Sequence, residues 1–302
     1  MSDLFARRLL VVTGKGGVGK STVAAALATV AGSRGRRVLI CELSARERMP
    51  ALFGTRPSGA EVGLITPRIS SVHVRPNEAM REYALMVLKF RAIYSAVFEN
   101  RMVRYFLRAV PSLSEIVMLG KVCWHALQDD RFDLVVLDAP ATGHALSLLS
   151  TPSTILELVN EGPLARDMRA MQALLEDARR SAVSLVALPE EMPVNEAVDL
   201  AAQLRKVVRM ARGPDFLNAF FPSRFSEAAI SSLKKDQDPN LEIAARAARA
   251  YEDRAALSAF YLEKMRTELG RPPICVPHLF SESFGALQVA QLAEVLDREI
   301  PA

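Results

Sequence analysis

Gly14-Lys15-Gly16-Gly17-Val18-Gly19-Lys20-Ser21-Thr22 is the stretch whose reading decides the fold. It follows the apolar run Leu9-Leu10-Val11-Val12 and precedes an Ala-rich helical pattern from Thr22 to Ala31, so strand, loop and helix occur in order. The glycines let backbone N–H groups converge on phosphate oxygens, and the helix start adds positive potential. Lys20 is placed to reach β- and γ-phosphates, and the Ser21 hydroxyl to ligate Mg²⁺. Residues 14–22 are therefore expected to bind a nucleotide, with ATP and Mg²⁺ as the ligands.

Composition fits an intracellular globular chain. The 302 residues are 50% apolar, enough for a large core, and no apolar run approaches bilayer-spanning length. Arg7 and Arg8 lead straight into the first strand, which is not the layout of a cleaved signal, so a cytoplasmic location without a transmembrane segment is expected. Cys41, Cys123 and Cys275 are widely separated, without a C-x-x-C pair, so neither an internal disulfide nor a zinc site is expected. The net charge of +4 is modest, and the cluster Arg34, Arg36 and Arg37 reads as a solvated turn rather than a nucleic-acid or lipid patch.

Apolar strand candidates at 9–12, 38–41, 72–74, 134–137, 183–188 and 274–276 alternate with longer helical patterns. Such alternation predicts an α/β fold with a doubly wound, mostly parallel sheet. Three intervening stretches are too long for simple crossovers: about 77–127, 155–180 and 226–269. They read as helical insertions in a single domain, the first two forming a helical subdomain. The first is apolar around nearly its whole circumference, with Met86, Phe90 and Phe106 among its large side chains. It must pack against something: the second insertion, or an apolar helix of a client or a second subunit.

Asp133-Leu134-Val135-Val136-Leu137-Asp138 is an apolar strand closing on a carboxylate. Asp138 is expected to hold the Mg²⁺ water shell opposite Ser21, and Asp133 to be a strand-entry residue. The following Ala139-Pro140-Ala141-Thr142-Gly143-His144 offers the Gly143 N–H to a γ-phosphate, a bond lost on hydrolysis that would give the segment two positions. His144 is read as a polar contact that steadies this segment rather than as a general base.

The second lysine, Lys15, makes the loop resemble the deviant Walker A group, in which that amine reaches the nucleotide of a facing subunit. The loop, the segment 138–144, the stretch 187–196 and the late Val276-Pro277-His278-Leu279-Phe280 together resemble the arsenite-pump and guided-entry ATPases over nearly the whole chain. The resemblance implies a parallel-sheet nucleotide domain with a helical subdomain, working as a dimer with ATP at the interface. In this family such motion serves a metalloid efflux channel or shields the transmembrane helix of a tail-anchored protein. It further implies that Asn218 reads the adenine and that Pro277 to Phe280, Leu279 included, pack near the base.

The sequence departs from that family in three places. Only Cys123 falls in the helical insertions, so a three-thiol metalloid site cannot form within one chain. The Cys-x-x-Cys pair that shares zinc in guided-entry dimers is absent. Where the family places a water-orienting Asp, this chain has Leu39-Ile40-Cys41-Glu42-Leu43-Ser44, with Ser44 at the expected position and Glu42 the one nearby carboxylate. A hydroxyl is a poor base, and losing a positioned base costs about 10²–10⁴-fold in rate, so hydrolysis is expected to be slow. Lys15, Lys20, Glu42, Ser44 and Asp138 are the catalytic candidates.

The leading expectation is a Mg²⁺-dependent ATPase, a homodimer or a heterodimer with a paralogue, that couples nucleotide state to a hydrophobic protein client. Two alternatives stand beside it. One is a partition or positioning ATPase acting on DNA or membrane, although the tail 284–300 is acidic and apolar rather than basic and amphipathic. The other is a nucleotide-switched scaffold without turnover.

Overall fold

The computed structural model describes residues 3–44, 46–88, 113–233 and 238–301. Eight strands form one sheet in the order β3-β4-β2-β5-β1-β6-β7-β8. They are β1 (Leu9–Gly14), β2 (Val38–Glu42), β3 (Gly63–Thr66), β4 (Ile69–His73), β5 (Leu134–Ala141), β6 (Ser181–Ala187), β7 (Phe216–Phe220) and β8 (Ile274–Pro277). Only β3 runs antiparallel, against β4 at the edge. All six strand candidates are strands. Two further strands escaped the sequence reading, β3 and β7, because one is short and half-exposed and the other carries the polar Asn218 at its centre.

Helices cover both faces, and alternation along the strands sends side chains to two separate cores. Leu10, Val12, Val38, Ile40, Leu134 and Val136 point to one face and pack with α1 (Lys20–Ser33), α2 (Met49–Phe53) and the last helix, α10 (Ala286–Glu299). Leu9, Val11, Leu39, Cys41, Val135 and Leu137 point to the other. There they meet α4 (Leu113–Gln128), α5 (Thr142–Leu158), α6 (Gly162–Glu176) and α7 (Glu191–Gln203). Helix α3 (Pro76–Leu88) lies beside α4. Two more helices, α8 (Glu227–Leu233) and α9 (Pro239–Leu269), occupy the third insertion. Of the residues singled out as a client surface, Met86 lies on α3, while its side chain and the whole of Phe90 and Phe106 fall outside the described residues.

The arginine cluster is engaged with its own chain. Arg34 holds the carboxylate of Asp297 and the carbonyls of Asp297, Ile300 and Pro301, Arg36 bonds the Phe5 carbonyl, and Arg37 pairs with Asp133. Asp133 is thus the strand-entry residue expected, its carboxyl held down at about 2 chiefly by the Arg37 hydrogen bond. Cys41 and Cys123 are buried, and burial raises both thiols, Cys123 to about 12. Among the described residues no helix is long and apolar enough to cross a membrane.

Candidate nucleotide-binding site

Because β1, β2, β5, β6, β7 and β8 are parallel, their carboxyl ends lie along one rim, where a doubly wound sheet binds ligands. The loop from Gly14 to Gly19 leaves β1 at the centre of that rim. It must bend sharply against β6: Gly14 has φ +154°, and a Cβ there would sit 2.1 Å from the Val186 carbonyl oxygen. Gly19, at φ +89°, has the Asn218 amide where its Cβ would be. Gly16, Gly17 and Val18 complete the loop, and α1 starts at Lys20 with Ser21 and Thr22 in its first turn.

The Ser21 hydroxyl donates to Asp138 Oδ2 at 2.6 Å. Asp138 is buried, its Oδ1 has no hydrogen-bond partner among the described residues, and burial pushes its carboxyl up to about 6, against the pull of Ser21 and Lys20. A buried oxygen atom without a donor is costly unless a cation or its water shell completes it. The hydroxyl–carboxylate pair is also the donor set that Mg²⁺ prefers. These residues therefore fit the metal that the motif implies. Lys20 Nζ donates to the Lys15 carbonyl at 3.1 Å, and burial lowers its pKa.

Ser44 and Glu42 lie at the end of β2, where Glu42 stands in register with Asp138 on β5. Glu42 is fully buried and its two oxygens accept the backbone N–H groups of Arg48 (2.7 Å) and Met49 (3.0 Å), capping the start of α2. Burial raises its pKa against those bonds. The Ser44 hydroxyl lies 3.5 Å from Glu42 Oε1 and bonds the Arg46 carbonyl, while His73 Nε2 lies 2.7 Å from the Ser44 carbonyl oxygen. Gly143 and His144 are exposed at the start of α5. Thr13 on β1 bonds the Pro140 carbonyl at 3.0 Å, tying the end of β1 to the end of β5.

Asn218 donates from Nδ2 to the Val18 carbonyl at 2.9 Å, so the structure sets it against the phosphate loop. Pro277 ends β8 on the same rim, Leu279 packs into the core beside α1, and His278 stacks on Phe221 at 4.7 Å.

Three residues went unread in the sequence. Arg48 carries an exposed guanidinium with no hydrogen-bond or ion-pair partner among the described residues, and its charge is felt by both Lys20 and Asp138. Glu196 on α7 takes Lys15 Nζ at 2.6 Å and the Thr142 hydroxyl at 3.2 Å. Thr142 and Glu196 were quoted only as parts of runs. Arg48 and Glu196 have no local signal for this contact, since each reaches the site only when separate strands and helices are brought to one rim.

Residues 7–162 match the anion-transporting ATPase family, more than half of the chain. The ATPase BagA of Mycobacterium tuberculosis is 29% identical over 216 residues, 68% of this chain and 63% of its own length. The arsenical pump-driving ATPase of Escherichia coli is 28% identical over 199 residues, 66% of this chain and 32% of its own. A Halobacterium salinarum relative aligns over 296 residues, 92% of this chain and 42% of its own, at 25% identity. The alignments thus span less than two thirds of each relative's length. With a parallel sheet, a phosphate loop after its central strand and a paired serine and aspartate beneath that loop, the chain belongs to the anion-transporting ATPase family.

Proposed function

We propose that this chain binds Mg²⁺·ATP, hydrolyses it slowly, works as a dimer, and uses the nucleotide state to hold or release a hydrophobic, membrane-protein-like client. The observation that carries the nucleotide part is the Ser21–Asp138 pair with its unpartnered buried oxygen, set directly under loop 14–19. Mg²⁺, when bound, supplies charge neutralisation at the phosphates. The chain's own groups do the rest. Loop N–H groups and Lys20 hold the phosphate chain, and the Gly143 N–H is presented to the γ-phosphate at the head of α5. Slow turnover is supported by the engagement of both candidates for orienting water: the Glu42 carboxylate is occupied by two backbone N–H groups, and the Ser44 hydroxyl by the Arg46 carbonyl.

The client part is supported by placement. Helix α5 begins at Thr142, where the γ-phosphate would be sensed, and packs on α4 and α6. Movement of the 140–143 segment is thereby delivered to the helical insertions. Metalloid handling, suggested by the relatives' names, finds no support in the thiols, because only Cys123 falls in the helical insertions and a three-thiol site cannot form within one chain.

A multiple-turnover phosphate-release assay tests the reading. Turnover is expected to require Mg²⁺, to run below about 1 s⁻¹, and to vanish with nucleotide binding in Lys20→Ala. Tight ATP binding with no release beyond one equivalent would replace the enzyme by a nucleotide-switched scaffold.

A further inference from the structure

Lys15, the amine expected to serve a facing subunit, is held within its own chain. Its Nζ lies 2.6 Å from Glu196 Oε1, both side chains 31% exposed, and its backbone carbonyl accepts Lys20 Nζ. Glu196 is firmly placed. Pro193, Val194 and Ala197 bury the first turns of α7, and neighbouring Asn195 accepts Lys264 Nζ of α9 at 2.6 Å. The Glu196 carboxyl is kept below its usual range chiefly by the Lys15 hydrogen bond, with burial opposing and the Thr142 hydrogen bond adding to the pull.

The second oxygen of Glu196 matters as much as the first. It accepts the Thr142 hydroxyl, and Thr142 immediately precedes Gly143 in the segment that would close on a γ-phosphate. One carboxylate therefore lodges both a phosphate-loop lysine and the γ-phosphate-sensing segment. If Gly143 turns toward a γ-phosphate, Thr142 leaves Glu196 and the carboxylate loses the hydrogen bond that fixes its side chain in place opposite Lys15. ADP, having no γ-phosphate, gives Thr142 no reason to move.

We propose that Glu196 is the in-chain resting place of Lys15, a latch that ATP but not ADP loosens through Thr142, freeing the lysine to cross to a second subunit. The inference rests on the dimeric reading above and adds the residue that restrains assembly until ATP is bound. A partly exposed ion pair of this kind changes an equilibrium by about threefold, so two latches change dimer assembly by up to roughly tenfold.

Two measurements on the full chain test it, with Glu196→Gln as the variant and Glu191→Gln, exposed one turn earlier on α7, as control. In nucleotide-free protein, amine-directed labelling of Lys15, referenced to exposed Lys206, should rise about threefold in Glu196→Gln and stay at the wild-type level in the control. In sedimentation with Mg²⁺ and a non-hydrolysable ATP analogue, the analogue concentration giving half-dimer should fall by threefold to tenfold in Glu196→Gln, with ADP giving no dimer in the wild type. Unchanged labelling, or an unchanged or raised midpoint, overturns the latch. Failure of every form to dimerise while nucleotide still binds overturns the dimeric reading instead, and the labelling result then decides separately whether Glu196 restrains Lys15.

Discussion

At the residue scale, Asp138 carries the sharpest consequence. Burial raises its carboxyl from the ordinary 3.8 to about 6, so between about pH 4 and 6 the folded, nucleotide-free protein holds a proton there that the unfolded chain releases. Its contribution to stability is therefore full below pH 4 and lost as the pH rises through 6, a swing of about 3 kcal/mol. Asp138→Asn removes the charge but not the shape. Thermal unfolding without nucleotide should show the variant gaining on the wild type at pH 7.5, with the gain shrinking as the pH falls to 4, while nucleotide stabilisation by Mg²⁺·ATP disappears. Gly14 makes a second prediction. A methyl group at Gly14 meets the Val186 carbonyl, and neither backbone can yield without breaking the β1–β6 ladder. Denaturant titration of Gly14→Ala should show a loss of at least about 2 kcal/mol.

At the scale of elements, the last helix closes the core over α1. Val289, Leu292, Ala293 and Leu296 are buried on the cluster that includes Val23, Leu27 and Val30 of α1, and Arg34 clamps the helix end through Asp297. Leu296→Ala should cost about 2–5 kcal/mol by equilibrium unfolding, because the helix is fixed at both ends and closes poorly over a void. Loosening α1 tilts its first turn, which holds Lys20 and Ser21, so the same variant should also bind ATP more weakly. Unaltered affinity at reduced stability would show that the loop keeps its shape without α10.

For the whole molecule, the prediction concerns transmission. Helix α5 has Thr142 and Gly143 at its head, Pro152 within it, and α4 and α6 packed against it. Hydrogen exchange across residues 77–127 should therefore differ between ADP and ATP states. Identical exchange would refute coupling between nucleotide and the first insertion, whatever the rate of hydrolysis.

The sequence by itself determined the sheet's central strands and the glycine-rich loop between β1 and α1, and it put Lys20 and Ser21 at the start of a helix and Asp138 in an apolar strand. Each rests on local signals: continuous apolar runs, glycines at fixed spacing, helical periodicity. Only the tertiary structure decided that Glu42 caps α2, that the charge of Arg48 is felt at Lys20 and Asp138, and that Lys15 rests on Glu196, 181 positions away. Strands β3 and β7 also waited for it, since a short edge strand and a strand with a polar centre lack the apolar pattern that marks the others. For Glu196 the physical reason is that a carboxylate's partner is chosen by which chain ends a parallel sheet gathers on one rim, and no local spacing encodes that gathering.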